Sequence, residues 1–504
     1  MRERIFLTVA AVLGAVFLTL RFGEFPLGAG MDDAYYIELA RSLAAGRGPV
    51  IHLNQVVPAW RPEIFPLGFP LLLSPLAYLF GNSVQIFKLV PLVAWIALAP
   101  VCLRLARTED SGPRLALAAL VCLNPWTIAY AVRVFSDLPF AVVSVSAVML
   151  FAGLADLPRI RSDRFAALVV VTAAAITIRS VGLALPAAMV IFWFLHRRWL
   201  RALLLIGGVA AVLLPYTLAS GGLLTNSNLR QVFTSGAAGV PRTTVILENL
   251  AGYLRELSVV LLPVFGKPLE TLAARSGLDS VYGPMQMLAG IVLVGGIIRG
   301  LVVMGRGHPG RSRFLLIYLM VYAGVLLNFS GYPSGVQARL LLPVVPLIYL
   351  MLLIALRSMA GTGRIFWTSV AVVMSLSLAH NGYRASHPVT LNTDAGGPVV
   401  LDPGLGTEWI MDNTESDELV MVRWPLRQHI HFRRPVVGYG TLGRRELDQR
   451  IKTYGVNYIF LGPGPDPAGT TRLLELLEAN PGRYASIHRD PEKEFVVFRV
   501  EPGP

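Results

Sequence analysis

Residues 31–41 read Met31-Asp-Asp-Ala-Tyr-Tyr-Ile-Glu-Leu-Ala-Arg41, and they follow the apolar run Ile5–Leu20. Tyr36, Leu39, Ala40 and Leu43 recur at helical spacing, so an amphipathic helix lying on a membrane surface is expected here. Asp32 and Asp33 stand at its start, where carboxylates favour the positive end of a helix. Capping is the plain structural reading of that pair. A bilayer crossing needs about 20 mostly apolar residues, with about 17 as the lower end. Ile5–Leu20, behind Arg2 and Arg4, is read as a first span. A cleavable signal peptide is the weaker reading, because no clear A-x-A site follows and many spans come later.

The composition agrees. The chain has 504 residues, 54% hydrophobic and 15% charged, with mean hydropathy +0.59. Soluble domains carry about 25% charged residues, so an ordinary soluble enzyme is excluded, and so is a disordered chain. The net charge of +13 and pI of about 10.0 would suit nucleic acid in a soluble protein; the spans exclude that partner. Cys102 and Cys122 both fall in apolar runs and are read as buried small hydrophobes.

Further spans are expected near Ile86–Ala106, Leu115–Ala131, Leu138–Ala155, Phe165–Ile178, Val181–Leu195, Ala202–Ala219, Met285–Met304, Phe314–Asn328, Leu340–Leu356 and Ile365–His380. The fold class is therefore a polytopic α-helical membrane protein of about 11 transmembrane helices. With a cytoplasmic N-terminus, alternate short loops carry the arginines: Arg104, Arg107 and Arg114; Arg159, Arg161 and Arg164; Arg197, Arg198 and Arg201; Arg306, Arg311 and Arg313; Arg357 and Arg364. Loops between them hold mostly single arginines, as the positive-inside rule requires. This places residues 21–85 and 220–284 outside as two long loops of a membrane domain spanning 1–380. It also places 381–504 outside, as a soluble extracytoplasmic α/β domain with strands in "ELVMVRW", "RPVVGYG", "VNYIFLG" and "EFVVFRV" and helices in "GTEWIMDNT" and "TRLLELLEAN".

Trp60-Arg-Pro-Glu-Ile-Phe-Pro-Leu-Gly-Phe-Pro-Leu-Leu-Leu-Ser-Pro75 holds too many prolines for a span, whose freed backbone groups lipid cannot satisfy. A second interfacial helix ending at Phe80-Gly81 is expected. Asp137, in Phe135-Ser-Asp-Leu-Pro-Phe140, lies on the same outer face as Asp32 and Asp33, and so do Arg179 and Arg339. A cap explains Asp137 alone, and snorkelling explains either arginine alone. Together they make a site: a carboxylate accepts the proton of an attacking hydroxyl, and arginines bind a phosphate and stabilise it as a leaving group.

Several motifs resemble those of the GT-C glycosyltransferase superfamily, most nearly the bacterial branch of protein O-mannosyltransferase-like and aminoarabinose transferase-like enzymes. They are "DDAYYIELAR" after the first span, "RPEIFPLGFPLLLSPLAYLFG", "FSDLPF", "QARLLLPVVPLIYL" and the tail's "EWIMDNT" and "GVNYIFLG". The resemblance covers nearly the whole chain. It implies inverting transfer of a monosaccharide from a polyprenyl-phosphate-linked donor to a glycan, lipid or protein acceptor at the outer membrane face. It makes Asp32 the base or acceptor-positioning carboxylate, Asp33 its helper and Asp137 the second acidic position. Arg339 and Arg179 become donor-phosphate ligands, with Lys88 and Arg61 as weaker ones. Glu63, Tyr35 and Tyr36 fall at acceptor or positioning places, and His52 reads as an ordinary loop histidine. Some members use a divalent metal, so Mg or Mn on Asp32 and Asp137 is an expectation from the resemblance. Loop 220–284 is expected to act as a lid, with Asn226, Asn228, Arg230 and Tyr253 in reach of acceptor.

Two other classes compete. A transporter or flippase of lipid-linked sugars predicts polar or broken residues at mid-membrane, often in paired repeats; no inverted repeat is seen, and most charges lie at span ends. A non-catalytic membrane scaffold leaves the outer-face carboxylates and arginines unexplained.

Overall fold

The computed structural model describes the chain apart from residues 1, 24, 30, 63–64, 82, 156, 158–160, 221–240, 330–335, 362, 388–390, 394–396, 400–403, 440–443, 463–466, 493 and 502–504. It divides into two compact units. The first comprises Met1–Phe22, Glu63–Phe69 and Lys88–His387, and the second Gly23–Pro62, Pro70–Phe87 and Pro388–Pro504.

The first unit is helical. Its elements are α1 (Arg2–Arg21), α4 (Leu89–Leu105), α5 (Ser111–Leu123), α6 (Pro125–Ala131), α7 (Asp137–Leu154), α8 (Ser162–Ile178), α9 (Ala184–Leu195) and α10 (Trp199–Ser220). They continue with α11 (Arg242–Leu261), α12 (Lys267–Arg275), α13 (Asp279–Gly307), α14 (Pro309–Asn328), α15 (Val345–Ala360) and α16 (Arg364–Ser386). Among the described residues seven helices are long and apolar enough to cross a membrane, or eight if the bent pair α5/α6 is one span; Phe6–Arg21, Gly68–Phe80 and Ser180–Leu195 are apolar but shorter. This is an integral membrane protein.

The basic loops meet one another. Arg311 reaches Thr108 Oγ1 at 2.8 Å, Arg357 reaches Glu109 at 3.3 Å and also Asp110, and Arg201 reaches the Leu157 carbonyl at 2.8 Å. Loops that the arginine pattern assigns to one side thus share contacts at one end of this unit.

The run Leu115–Ala131, expected as one span, is bent by 54°. Proline disfavours helical geometry in the residue before it, and Asn124 is accordingly non-helical (φ −58, ψ 129). A break inside a membrane frees backbone groups that must find partners in protein. Asn124 Oδ1 accepts from the N–H of Trp126 at 2.9 Å, and Thr127 Oγ1 donates to the Val121 carbonyl at 2.6 Å. Asn381 Nδ2 donates to the Leu123 carbonyl at 3.1 Å, and Arg21 donates to the Pro125 carbonyl at 3.3 Å and to Asn381 Oδ1 at 2.9 Å. Asn124 Nδ2 donates to the Val260 carbonyl at 2.7 Å and to Tyr349 Oη at 3.1 Å, and Tyr349 in turn donates to Leu261 at 3.0 Å. One buried knot therefore ties the break to α1, α11, α15 and α16.

The second unit holds α2 (Asp32–Ala44), most of α3 (Gly68–Phe80), the pair β1 (Leu391–Thr393) and β2 (Gly397–Val399), and a five-stranded sheet. The sheet order is β4 (Val436–Gly438), β3 (Val420–Val422), β5 (Tyr458–Leu461), β7 (Phe495–Val500), β6 (Tyr484–Asp490), parallel on the β4 side and antiparallel on the β6 side. Its helices are α17 (Thr407–Asn413), α18 (Pro425–Phe432), α19 (Arg444–Tyr454) and α20 (Pro467–Glu478). Met421, Val437, Leu447, Ile459, Leu477 and Phe498 form one buried layer. On α18, Phe432 meets Phe460 edge-on with ring centres 5.2 Å apart.

An open sheet edge invites pairing with other chains. Here the β4 edge is covered from the first long loop: Val436 N–H donates to Leu53 at 2.9 Å, and Asn54 Nδ2 donates to Val436 at 2.7 Å. The two helices expected in the first long loop are present as α2 and α3. Of the expected lid, α11 and α12 are described, and Asn226, Asn228 and Arg230 lie outside the described residues.

Asn124→Ala leaves the Val260 carbonyl and the α6 N–H groups unpaired. We expect it to cost about 1–3 kcal/mol, read as a lowered unfolding midpoint in detergent.

Candidate functional site

Two constellations carry the candidate residues, one in each unit. In the first unit, α6 leads through Arg133 and Phe135 to Asp137, the first residue of α7. Asp137 is fully buried. Its Oδ1 lies 2.6 Å from Arg179 Nη1, and the same nitrogen is 3.4 Å from Ser136 Oγ. Arg179 is an extended residue between α8 and the 3-10 turn Ser180–Leu183. That reversal needs Gly182, where an added Cβ would stand 2.5 Å from the Ala175 carbonyl oxygen.

Arg339 opens the 3-10 segment Ala338–Val344, which packs on α7. Its guanidinium lies 5.5 Å from the centre of the Phe135 ring, and its Nε donates to Gln337 Oε1 at 2.5 Å. Arg133 lies 5.2 Å over the Tyr130 ring. Arg133, Asp137, Arg339 and Arg179 all act electrostatically on Tyr130. Three guanidiniums thus gather about Asp137 and Tyr130, and guanidiniums are the groups that bind phosphate through two parallel hydrogen bonds. Sequence reading missed Arg133 and Tyr130, whose only signal is their place between the Pro125 break and Asp137.

In the second unit, α2 starts at Asp32. Asp33 is fully buried; its Oδ2 accepts from the Gly28 N–H at 2.6 Å and its Oδ1 from the Ala34 N–H at 3.0 Å. Burial pushes its carboxyl up to about 6, with the neighbouring Asp32 adding to the rise; the two N–H groups and Arg427 oppose it. Asp33 is thus built into the turn before α2. Asp32 is half-buried beside it. Tyr35, also half-buried, has its phenol raised by burial and by Asp32, and Tyr36 is buried.

The other candidates are placed as follows. Lys88 is buried, donates to the Phe22 carbonyl at 2.7 Å and lies 4.7 Å over the Phe22 ring, so its ammonium secures the end of α1. Arg61 is half-buried just after the bridge that pairs Ile51 with Trp60. Glu63 lies outside the described residues. Among the described residues no three of His, Cys, Asp and Glu gather to hold a metal ion. Asp137 is paired with Arg179, and Asp32 belongs to the other unit.

No family model matches the chain, and no curated protein matches it by sequence. Solved structures do. ArnT from Cupriavidus metallidurans in the apo state aligns with TM-score 0.60 at 14% identity, over 98% of this chain and 99% of that one. The same protein bound to undecaprenyl phosphate aligns with TM-score 0.53 at 15% identity, over 99% of each. The archaeal oligosaccharyltransferase AglB from Archaeoglobus fulgidus, in complex with an inhibitory peptide and a dolichol-phosphate, aligns with TM-score 0.57 at 11% identity, over 99% of this chain and 74% of that one. The chain has the GT-C fold. The likeness runs through both units of the chain, the tail included.

Two outcomes follow for the charged groups. Asp137→Asn strands Arg179, and Arg179→Gln strands a buried carboxylate. Each single change is expected to cost about 3 kcal/mol, and the double variant less than their sum, measured by thermal unfolding in detergent. For Asp33, a folded value of about 6 against an ordinary 3.8 means that the fold favours the protonated form. That contribution is full below about pH 4 and is lost as pH rises through about 6. The stability margin of the wild type over Asp33→Asn should therefore shrink between about pH 4 and about pH 7, by on the order of 1–3 kcal/mol.

Proposed function

We propose that this protein is an inverting glycosyltransferase that moves a monosaccharide from a polyprenyl-phosphate donor to a hydroxyl or amine of a glycan, lipid or protein at the outer face of the membrane. The observation that carries the reading is the cluster of Arg133, Arg179 and Arg339 about Tyr130 and the buried carboxylate of Asp137. It stands in a fold shared with ArnT and AglB, each of which has a solved structure that includes a polyprenyl phosphate.

Arg339 binds the donor phosphate. The Asp137–Arg179 pair holds the second guanidinium in place, so little reorganises as charge develops. Asp32 accepts the proton of the acceptor as its oxygen or nitrogen attacks the anomeric carbon. The bond from that carbon to the phosphate oxygen breaks, and the phosphate leaves as an anion stabilised by the arginines. Attack opposite the leaving group inverts the anomeric centre. Tyr35 and Tyr36, on the first turns of α2, and Glu63 position the acceptor. Arg61 is a secondary ligand for the donor phosphate, and Lys88 is left to hold the Phe22 carbonyl. Every group in this scheme belongs to the protein.

In the same reading α1, α8 and α9 complete eleven crossings. The N-terminus is cytoplasmic and the tail extracytoplasmic, as the arginine alternation supports. Reporters fused at Arg161 and Val399 should then report opposite sides of the membrane.

The decisive assay offers purified protein radiolabelled polyprenyl-phosphate sugars together with membrane extract. Sugar should move to an acceptor in the extract. Asp32→Asn should lower turnover by about 100- to 10,000-fold, and Arg339→Ala should raise the donor KM. Failure to move sugar from any donor sinks the reading, and full activity of Asp32→Asn sinks the assigned base.

A further inference from the structure

The tail reaches the acidic pair through a single peptide group. His431, on α18, hydrogen-bonds through Nε2 to the Leu27 carbonyl at 2.7 Å. A carbonyl only accepts, so Nε2 carries the proton. The N–H of Gly28 belongs to that same planar peptide and donates to Asp33 Oδ2 at 2.6 Å. Donation to the oxygen of a peptide polarises it and strengthens its N–H as a donor, so hydrogen bonds in such a chain reinforce one another. Gly28 has φ 88, a left-handed conformation that favours glycine. Leu27 and Ala29 on either side are buried.

A second set of contacts, on either side of His431 in sequence, holds α18 against α2. Arg41 pairs with Glu38 at 2.8 Å and donates to the Ile430 carbonyl at 3.2 Å. His429 Nε2 lies 3.7 Å from Glu38 Oε2, and its Nδ1 lies 2.9 Å from the Arg434 carbonyl. All of these residues belong to the second unit.

We infer that His431 is a positioning residue for Asp32: the tail helix fixes the Leu27–Gly28 peptide, the peptide fixes Asp33, and Asp33 fixes the first turn of α2 on which Asp32 stands. The consequence for catalysis rests on the proposed role of Asp32. The consequence for the order of the loop does not.

The test uses the full chain in detergent, with His431→Leu, which removes the donor, and His431→Gln, whose amide restores one at similar reach. Two readouts are taken: hydrogen exchange across residues 25–34, and transfer kinetics with the donor found in the assay above. His431→Leu should exchange about fivefold faster over 25–34, as expected for loss of one hydrogen bond, with exchange in β3, β5 and β7 unchanged. Its kcat should fall about 10- to 100-fold, the scale of a misplaced catalytic group, with the donor KM within about twofold. His431→Gln should return both readouts toward wild type. Wild-type exchange over 25–34 in His431→Leu overturns the inference, as does a sheet that loosens with the loop, or a Gln variant no better than Leu. If the wild type transfers no sugar, the proposed function fails by itself, and the exchange arm still decides whether His431 orders the loop.

Discussion

The first unit depends on a constraint that lipid imposes: a helix broken inside a membrane must satisfy its freed backbone groups with protein. The break at Asn124 meets that constraint by drawing in Arg21, Val260, Tyr349 and Asn381, from four other parts of the chain. The short helix after the break, Pro125–Ala131, then delivers Tyr130, Arg133, Phe135 and Asp137 in succession. A straight span would run the same residues along one axis. The bend sends them to a new direction, and the buried amides and guanidinium that secure it make that direction rigid.

Charge at the site follows from the same low-dielectric surroundings. A bare carboxylate at Asp137 would be costly there, and so would a bare guanidinium at Arg179; the pair offsets both penalties. Arg339 and Arg133 use aromatic faces instead, over Phe135 and Tyr130. Those contacts hold a cation without neutralising it.

Much of this was legible in the sequence, and the rest was hidden for identifiable reasons. The apolar runs mark the helices, because lipid demands long uninterrupted stretches. Asp137, Arg179 and Arg339 stand out because charge is rare beside such runs, and two of them form an ion pair. The bend at Asn124 was passed over, since Asn-Pro in an apolar run carries no label of how its carbonyls will be met. In the tail, β3, β4, β5 and β7 follow from their apolar stretches. β6 was missed because it is an edge strand in which only Tyr484 is fully buried. The helix Pro425–Phe432 was missed because Leu426, Gln428, Ile430 and Phe432, all buried, alternate as a strand would. Its contact with α2 is invisible to any local reading.

The covering of the β4 edge has a consequence for biogenesis. Asn54 and Val436 are 382 positions apart in the chain. Ribosomes add about 5–20 residues per second, so roughly 20–80 s separate their synthesis. Through that interval the early loop has no partner strand edge to join, and the late sheet, once made, has an unprotected margin until the loop arrives. Assembly of this unit thus waits on the last part of the chain to be made. A chain truncated before Val436 would leave the first loop waiting for an edge that never comes.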